Sequence, residues 1–363
     1  MQALIRETLH RITPPDEAAM EMARAHQETL AKPPHSLGTL EDIAVQIAGL
    51  TGKVFNRADR RRVIVFASDN GVVEEGVASA PQSVTLAQTI NISRGLTGVG
   101  VIAKHYHTEL DVIDLGVNAD FEYPGVLNEK IAFGTKNFAR EPAMTRAQAE
   151  RAIKVGIQAV DRAAEDGVEI LGVGEMGIGN TSTSSAVLSA LTGLPAEKTV
   201  SRGGGVNDAG FLRKKEIIDA AIARMQPDPS DPIDVLSKVG GFDLCAMTGA
   251  FLAAAANRIP VVIDGFISAV AALCAARMAP ECVCAMLPSH ASMESGYAIA
   301  MRELQMEPIL NLQMRLGEGS GCPILFEIVS AALDVMENMA TFEEAAIDDG
   351  YLNEIRENER FQG

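Results

Sequence analysis

The stretch VEILGVGEMGIGNTSTSSAVLSALTG, residues 168–193, decides the fold. It opens with a short apolar run, as a buried strand does. Gly174, Gly177 and Gly179 then free the backbone around Glu175 and Met176. Asn180, Thr181, Ser182 and Thr183 follow, with side chains suited to a helix N-cap. A strand running through a glycine turn into a helix is half of a β-α-β unit.

The same grammar extends in both directions. RVIVFAS (62–68), ELDVIDLGV (109–117), PVVIDGF (260–266) and ECVCAMLPSH (281–290) read as strands. Helical patterns lie between them: 84–107 with a glycine-rich middle, 145–167 stopping at Gly167, 248–259 and 267–279. DNGVVEEGVASAPQS (69–83) reads as a long loop. Sustained alternation predicts an α/β fold: a mainly parallel, Rossmann-like sheet with helices on both faces. Residues 62–300 form the expected large domain. Residues 1–61 and 301–363 read as a smaller, discontinuous, mainly helical domain. Within it, 13–32 has Thr13 as cap and prolines in the first turn, and Gly52 stops a helix that follows KPP (32–34). The segment 332–363 reads as helix, turn, helix and acidic tail.

Bulk composition narrows the partners. The 363 residues are 47% hydrophobic but only 4% aromatic, with no Trp, so aliphatic side chains must build the core. The net charge of −17 repels nucleic acid and anionic membrane. The N-terminus is charged throughout, and the longest apolar runs are too short for a membrane span, so a cytoplasmic protein is expected. Five cysteines (245, 274, 282, 284 and 322) read as buried thiols. Cys282 and Cys284 have zinc-like proximity, but their alternation fits one face of a buried strand better, and no metal is expected.

Ligands of open α/β sheets sit beyond the carboxyl ends of the strands. Those ends carry Asp69-Asn70-Gly71, Glu175 with MGIGNTSTS, Gly265-Phe266, and Ser289-His290-Ala291-Ser292. The helix start after Gly177 and Gly179 suits a phosphate. Its G-x-x-G-x-G spacing is not the dinucleotide order. A second cluster, Gly203, Gly204 and Gly205 with Arg202, Arg213, Lys214 and Lys215 nearby, reads either as an anion site or as a flexible loop beside a solvated helix. Glu318 lies among the glycines of MRLGEGSG (314–321). A carboxylate in such apolar, glycine-rich surroundings can have a raised pKa and act as a general base. With Glu175 it offers negative charge to an oxocarbenium-like transition state, which points to a phosphoribosyl substrate.

Several motifs in order then resemble one family over nearly the whole chain: KPPHSLGTLE (32–41), DNGVVEEGVASAPQSVT (69–85), SRGLTGV (93–99), GVGEMGIGNTS (172–182), DVLSKVGGFDL (234–244), PSHASMESG (288–296) and MEPILNLQMRLGEGSG (306–321). The sequence is similar to the nicotinate-nucleotide:dimethylbenzimidazole phosphoribosyltransferase (CobT) family, which includes relatives using phenolic bases. The resemblance implies transfer of the phosphoribosyl group of nicotinate mononucleotide to an aromatic base, with inversion and without a cofactor. It implies Glu318 as general base and Glu175 beside the ribose. It places Gly177, Gly179, Asn180, Thr181, Gly203, Gly204, Gly205, Lys214, Ser289, His290 and Ser292 around the phosphoribosyl group. Ala80, Gln88, Met176 and Leu316 would line the base pocket, with the glycines around Glu318 allowing close approach to the ring. A homodimer is expected, with a heterodimer of unlike subunits, or a non-catalytic partner subunit, as alternatives. His35 replaces a usual glycine, Tyr297 lies in a segment that often carries His or Ala, and Ala80 lacks the hydroxyl some relatives offer the base.

Overall fold

The computed structural model describes residues 1–201, 205 and 207–353. Six parallel strands form one sheet: β1 (Arg61–Ser68), β2 (Glu109–Gly116), β3 (Val126–Asn128), β4 (Ile170–Met176), β5 (Val261–Ile263) and β6 (Met286–Pro288). Their order is β3-β2-β1-β4-β5-β6. The winding reverses between β1 and β4, so their carboxyl ends open a crevice at the switch point. Glu175 pairs in register with Phe66 there.

Alternation along the strands divides the core into two layers. Ile64, Phe66, Leu171 and Val173 face the helices Arg146–Glu165 and Phe242–Ala256. Val63, Val65 and Ala67 face the other way, onto Ile43 and Ile47 of Thr39–Thr51 and onto Leu325 and Phe326 of Cys322–Asn338. The chain's N- and C-terminal regions therefore meet on one face of the sheet. This puts the MRLGEGSG loop, which leads directly into Cys322–Asn338, beside β4.

Local stops fall where glycine predicts them. Gly52 and Gly167 both adopt left-handed φ, at 72° and 77°. Other expectations are corrected. The helix within 13–32 starts at Glu17, capped by Asp16 through Ala19 N–H, not by Thr13. Each of Thr13 and Pro14 precedes a proline, which disfavours the helical region there. The pattern over 84–107 splits into Ser83–Ser93 and Gly98–His105, turned at Gly95 and capped by Thr97. The loop after β1 contains a 3-10 turn, Gly71–Glu75. ECVCAMLPSH is not one strand: Pro280–Ala285 is a 3-10 turn, and only 286–288 pair with β5. Pro280 starts that turn, so Cys282 is buried and Cys284 half-buried rather than sharing one strand face. Of the expected C-terminal helix and tail, the described residues reach a 3-10 turn, Gly350–Leu352, and a helical Asn353; residues 354–363 lie outside them.

Among the described residues, no helix is long and apolar enough to cross a membrane, and no group of three His, Cys, Asp or Glu could hold a metal ion.

Candidate active site

A cleft of about 330 Å³ opens over the carboxyl ends of β4, β5 and β6. The end of β4 and the turn after it, residues 174–181, form its floor. Asp264–Ser268 after β5, and His290 and Ser292 after β6, form one wall. Residues 77–80, with Val84 and Gln88, face them, and 315–318 complete the rim. The end of β1 supports this floor from beneath: Asn70 Nδ2 donates to the Ile178 carbonyl at 3.4 Å.

Glu318 enters the cleft on an unusual backbone. Gly317, Glu318 and Gly319 all have left-handed φ, at 85°, 63° and 82°. Flanking glycines make such a run affordable. The loop is seated against β4 so closely that a Cβ on Gly174 would lie 2.4 Å from the Glu318 carbonyl oxygen. A Cβ on Gly317 would lie 2.5 Å from Glu175 Oε1. The glycines of the motif therefore bring two glutamates together. Glu318 itself is buried, and its Oε2 accepts the Val99 N–H at 3.1 Å in the first turn of Gly98–His105. Asp264 pins the loop from the other side: Oδ2 accepts Gly319 N–H at 3.1 Å and Oδ1 accepts Gly321 N–H at 2.7 Å.

Glu175 accepts hydrogen bonds from the Asn180 side chain and the Glu318 backbone N–H. Burial, with the nearby Asp243 and Asp264 charges, nevertheless pushes its carboxyl up to about 8. Burial likewise raises Asp243 to about 6 and Asp264 to about 7. The ordinary Glu175 value is 4.5, so the fold holds a proton there that the unfolded chain gives up. That contribution to stability is fully present below about 4.5 and is lost as pH rises through about 8. Glu175→Gln is therefore expected to gain in Tm relative to wild type as pH rises from 5 to 9. Parallel melting curves across that range would contradict the assignment.

The helix Asn180–Thr192 has Gly179 as N-cap, at φ 94° and without a side-chain cap. Asn180 is thus not the expected cap; its amide turns down to Glu175 and Asp243. The uncapped start, with Thr181 beside it, faces the cleft and suits an anion. A Cβ on Gly177 would meet the Ser68 carbonyl at 2.1 Å, so this glycine also brings the turn onto the end of β1.

Lys214 lies behind that start, fully buried, with Nζ 2.9 Å from Thr181 Oγ1 and 3.3 Å from the Ser201 carbonyl. Burial lowers its pKa to about 8, against the pull of Glu294. Its neighbours are engaged elsewhere: Arg213 pairs with Glu75 and Lys215 with Glu197. Gly203 and Gly204 lie outside the described residues; Gly205 is described and exposed, with φ 111°.

Ser289 does not reach the cleft. It is fully buried and its hydroxyl donates to the Asp264 carbonyl at 3.0 Å. That uses its one hydrogen, so at the 3.0 Å contact with His290 the ring Nδ1–H donates to Ser289 Oγ. The Asp264 carboxylate, 3.9 Å from the same nitrogen, favours that tautomer. Nε2 is then left as an acceptor. Burial also lowers the His290 pKa, keeping the ring neutral. Ser289 is therefore a support that orients His290. Ser292, Ala80, Gln88, Met176 and Leu316 all line the cleft, with Leu316 two residues before Glu318.

The sequence reading missed Asp243, which lies before the expected helix start, and Asp264, which closes a strand. It also missed Arg315, an exposed cation at the rim. An aspartate closing the apolar run VVID was the available signal for Asp264.

A parallel sheet with an open helix start, a buried lysine behind it and two glutamates in one cleft defines a class: enzymes that transfer a phosphorylated sugar. A family model described as phosphoribosyltransferase matches residues 12–347. The nicotinate-nucleotide–dimethylbenzimidazole phosphoribosyltransferase of Clostridium perfringens is 52% identical over 98% of this chain and 99% of its own length. The Clostridium tetani protein of the same name is 46% identical over 98% of both. The crystal structure of this enzyme from Thermus thermophilus aligns at TM-score 0.87 and 37% identity, covering 92% of this chain and 100% of that one. The chain belongs to the nicotinate-nucleotide:dimethylbenzimidazole phosphoribosyltransferase family.

Proposed function

We propose that this enzyme moves the 5-phosphoribosyl group of nicotinate mononucleotide to an aromatic base, dimethylbenzimidazole first among them. The observation that carries the reading is the meeting of Glu175 and Glu318 in one cleft, beside a helix start with no side-chain cap. The phosphate sits at that start, with Lys214 contributing positive charge through Thr181. The base lies against Gln88, Met176 and Leu316, within reach of Glu318.

In the reaction one ring nitrogen of the base attacks the anomeric carbon from the face opposite nicotinate. The bond to the pyridine nitrogen breaks, and nicotinate leaves with the electron pair. Glu318 takes the N–H proton of the incoming base. Configuration inverts, giving α-ribazole 5'-phosphate. Ionised Glu175 stabilises the positive charge that develops on the ribose. His290 Nε2 accepts from a ribose hydroxyl.

The test uses the purified chain alone with nicotinate mononucleotide and a panel of dimethylbenzimidazole, adenine, phenol and p-cresol. Nicotinate is expected to be released, fastest with dimethylbenzimidazole. Ala80 lines the cleft without a hydroxyl to hold the base, so the panel also reads base preference. Release with no base would overturn the reading. Activity appearing only after a second, unlike subunit is added would instead favour a partner-dependent enzyme.

A further inference from the structure

At the floor of the cleft, three buried side chains, two from the end of β4 and the turn after it and one from a distant helix start, form one unit. Asn180 Nδ2 carries two hydrogens. One goes to Glu175 Oε2 and the other to Asp243 Oδ2 at 3.3 Å. Asp243 is fully buried in the first turn of Phe242–Ala256, where its Oδ1 accepts the Leu244 N–H at 2.9 Å. A Cβ on Gly241 would lie 2.2 Å from that oxygen, so the glycine is what leaves room for the carboxylate there. Asp243 does not line the cleft; it meets a cleft residue through the Asn180 amide.

We propose that Asp243 is a positioning residue, and that with Asn180 it makes Glu175 a proton-coupled sensor of the substrate's cationic ring: the empty unit keeps a proton, and binding of the pyridinium glycoside releases it. This rests on the reading of the substrate given above.

The charges around Glu175 account for the sign. Asp243 and Asp264 act on it from the helix start and the end of β5, while Glu318 opposes them by donating its backbone N–H. Asp69, at the end of β1, acts on Asp243, and Lys130 opposes Asp69. His290 is kept neutral by burial. Lys214 lies behind Thr181, and Arg315 is at the open rim. Neighbouring buried carboxylates cannot all ionise, so the empty site retains a proton. Nicotinate mononucleotide brings a positive pyridinium nitrogen onto the anomeric carbon. Glu175 then ionises, its proton passes to solvent, and the carboxylate is ready for the charge that grows on the ribose. When nicotinate departs with an uncharged pyridine nitrogen, the positive charge is gone and Glu175 takes a proton back. The cycle is balanced in protons, and Glu318 separately carries away the proton of the base.

Binding calorimetry at pH 7 in buffers of different ionisation enthalpy tests this. The probes are nicotinate mononucleotide and ribose 5-phosphate, which shares the phosphate but lacks the cation. Wild type is expected to release more protons with the nucleotide than with the sugar phosphate. Glu175→Gln is expected to lose that excess. In Asp243→Asn the acid limb of kcat/KM is expected to move down by about one pH unit, because a like charge has been removed. Equal proton release by the two probes in wild type overturns the proposal. So does an Asp243→Asn variant whose activity falls by the same factor at every pH, since a purely structural role would do that. If Asp243→Asn does not fold, the wild-type and Glu175→Gln calorimetry decides alone. Nicotinate release by a wild type without the proton excess would sink this inference and leave the proposed reaction standing. Absence of nicotinate release with any base would sink the reaction itself.

Discussion

Glu318→Gln is expected to lower kcat about 100- to 10,000-fold, the range a general base supplies, and to leave nicotinate mononucleotide binding within a few-fold. The geometry makes this a clean substitution. The loop is held by Asp264, through the backbone N–H groups of Gly319 and Gly321, and by packing against Gly174, none of which involves the Glu318 side chain. The glutamine carbonyl can still accept from Val99 N–H, so the side chain stays seated. What is lost is a group able to take a proton from the incoming base. Rapid-quench turnover with calorimetry of the nucleotide separates the two effects. Full activity would remove Glu318 from the role of base.

The second large effect is expected at a residue with no side chain. A Cβ on Gly174 would lie 2.4 Å from the Glu318 carbonyl oxygen, and 2.5 Å from both its carbonyl carbon and the Gly319 nitrogen. All three are backbone atoms, so no flexible side chain can move aside. Overpacking of this kind costs about 1–3 kcal/mol. The strain is relieved most readily by pushing the 317–319 loop off β4, which displaces Glu318. Since a 1 Å misplacement can cost about 100-fold in rate, Gly174→Ala should lose about 100-fold in kcat/KM while remaining folded. Gly193→Ala is the control. Gly193 also has left-handed φ, at 69°, but its Cβ would meet nothing within 4 Å. It should lose about 1 kcal/mol of stability and keep its activity. Equal activity in the two variants would mean that seating of the loop is not limiting.

The two predictions differ in how far the sequence led to them. Glu318 stood out because a lone carboxylate in a glycine run is visible in one dimension. Its resemblance to a family motif then suggested the role of base, and the similarity to known members shows the family itself. What the surrounding glycines pack against was not legible there. Their clash partners, Gly174 and Glu175, lie more than 140 positions away and are brought in only by the packing of Cys322–Asn338 onto the sheet. Ser289 shows the same limit. As a hydroxyl after a strand it read as a ligand group, yet its hydroxyl is used on the Asp264 carbonyl. Asp264 and Asp243 were passed over because an aspartate at the end of a strand or the start of a helix is commonplace until something is known to face it.

The sequence by itself determined the α/β class, the stops at Gly52 and Gly167, and which turns lie at strand ends. These follow from periodicity and backbone preference, which act over a few neighbouring residues. The tertiary structure alone decided that four carboxylates from residues 175, 243, 264 and 318 share one water-poor region. Protonation there depends on burial and on distances between segments, and neither is encoded in local spacing.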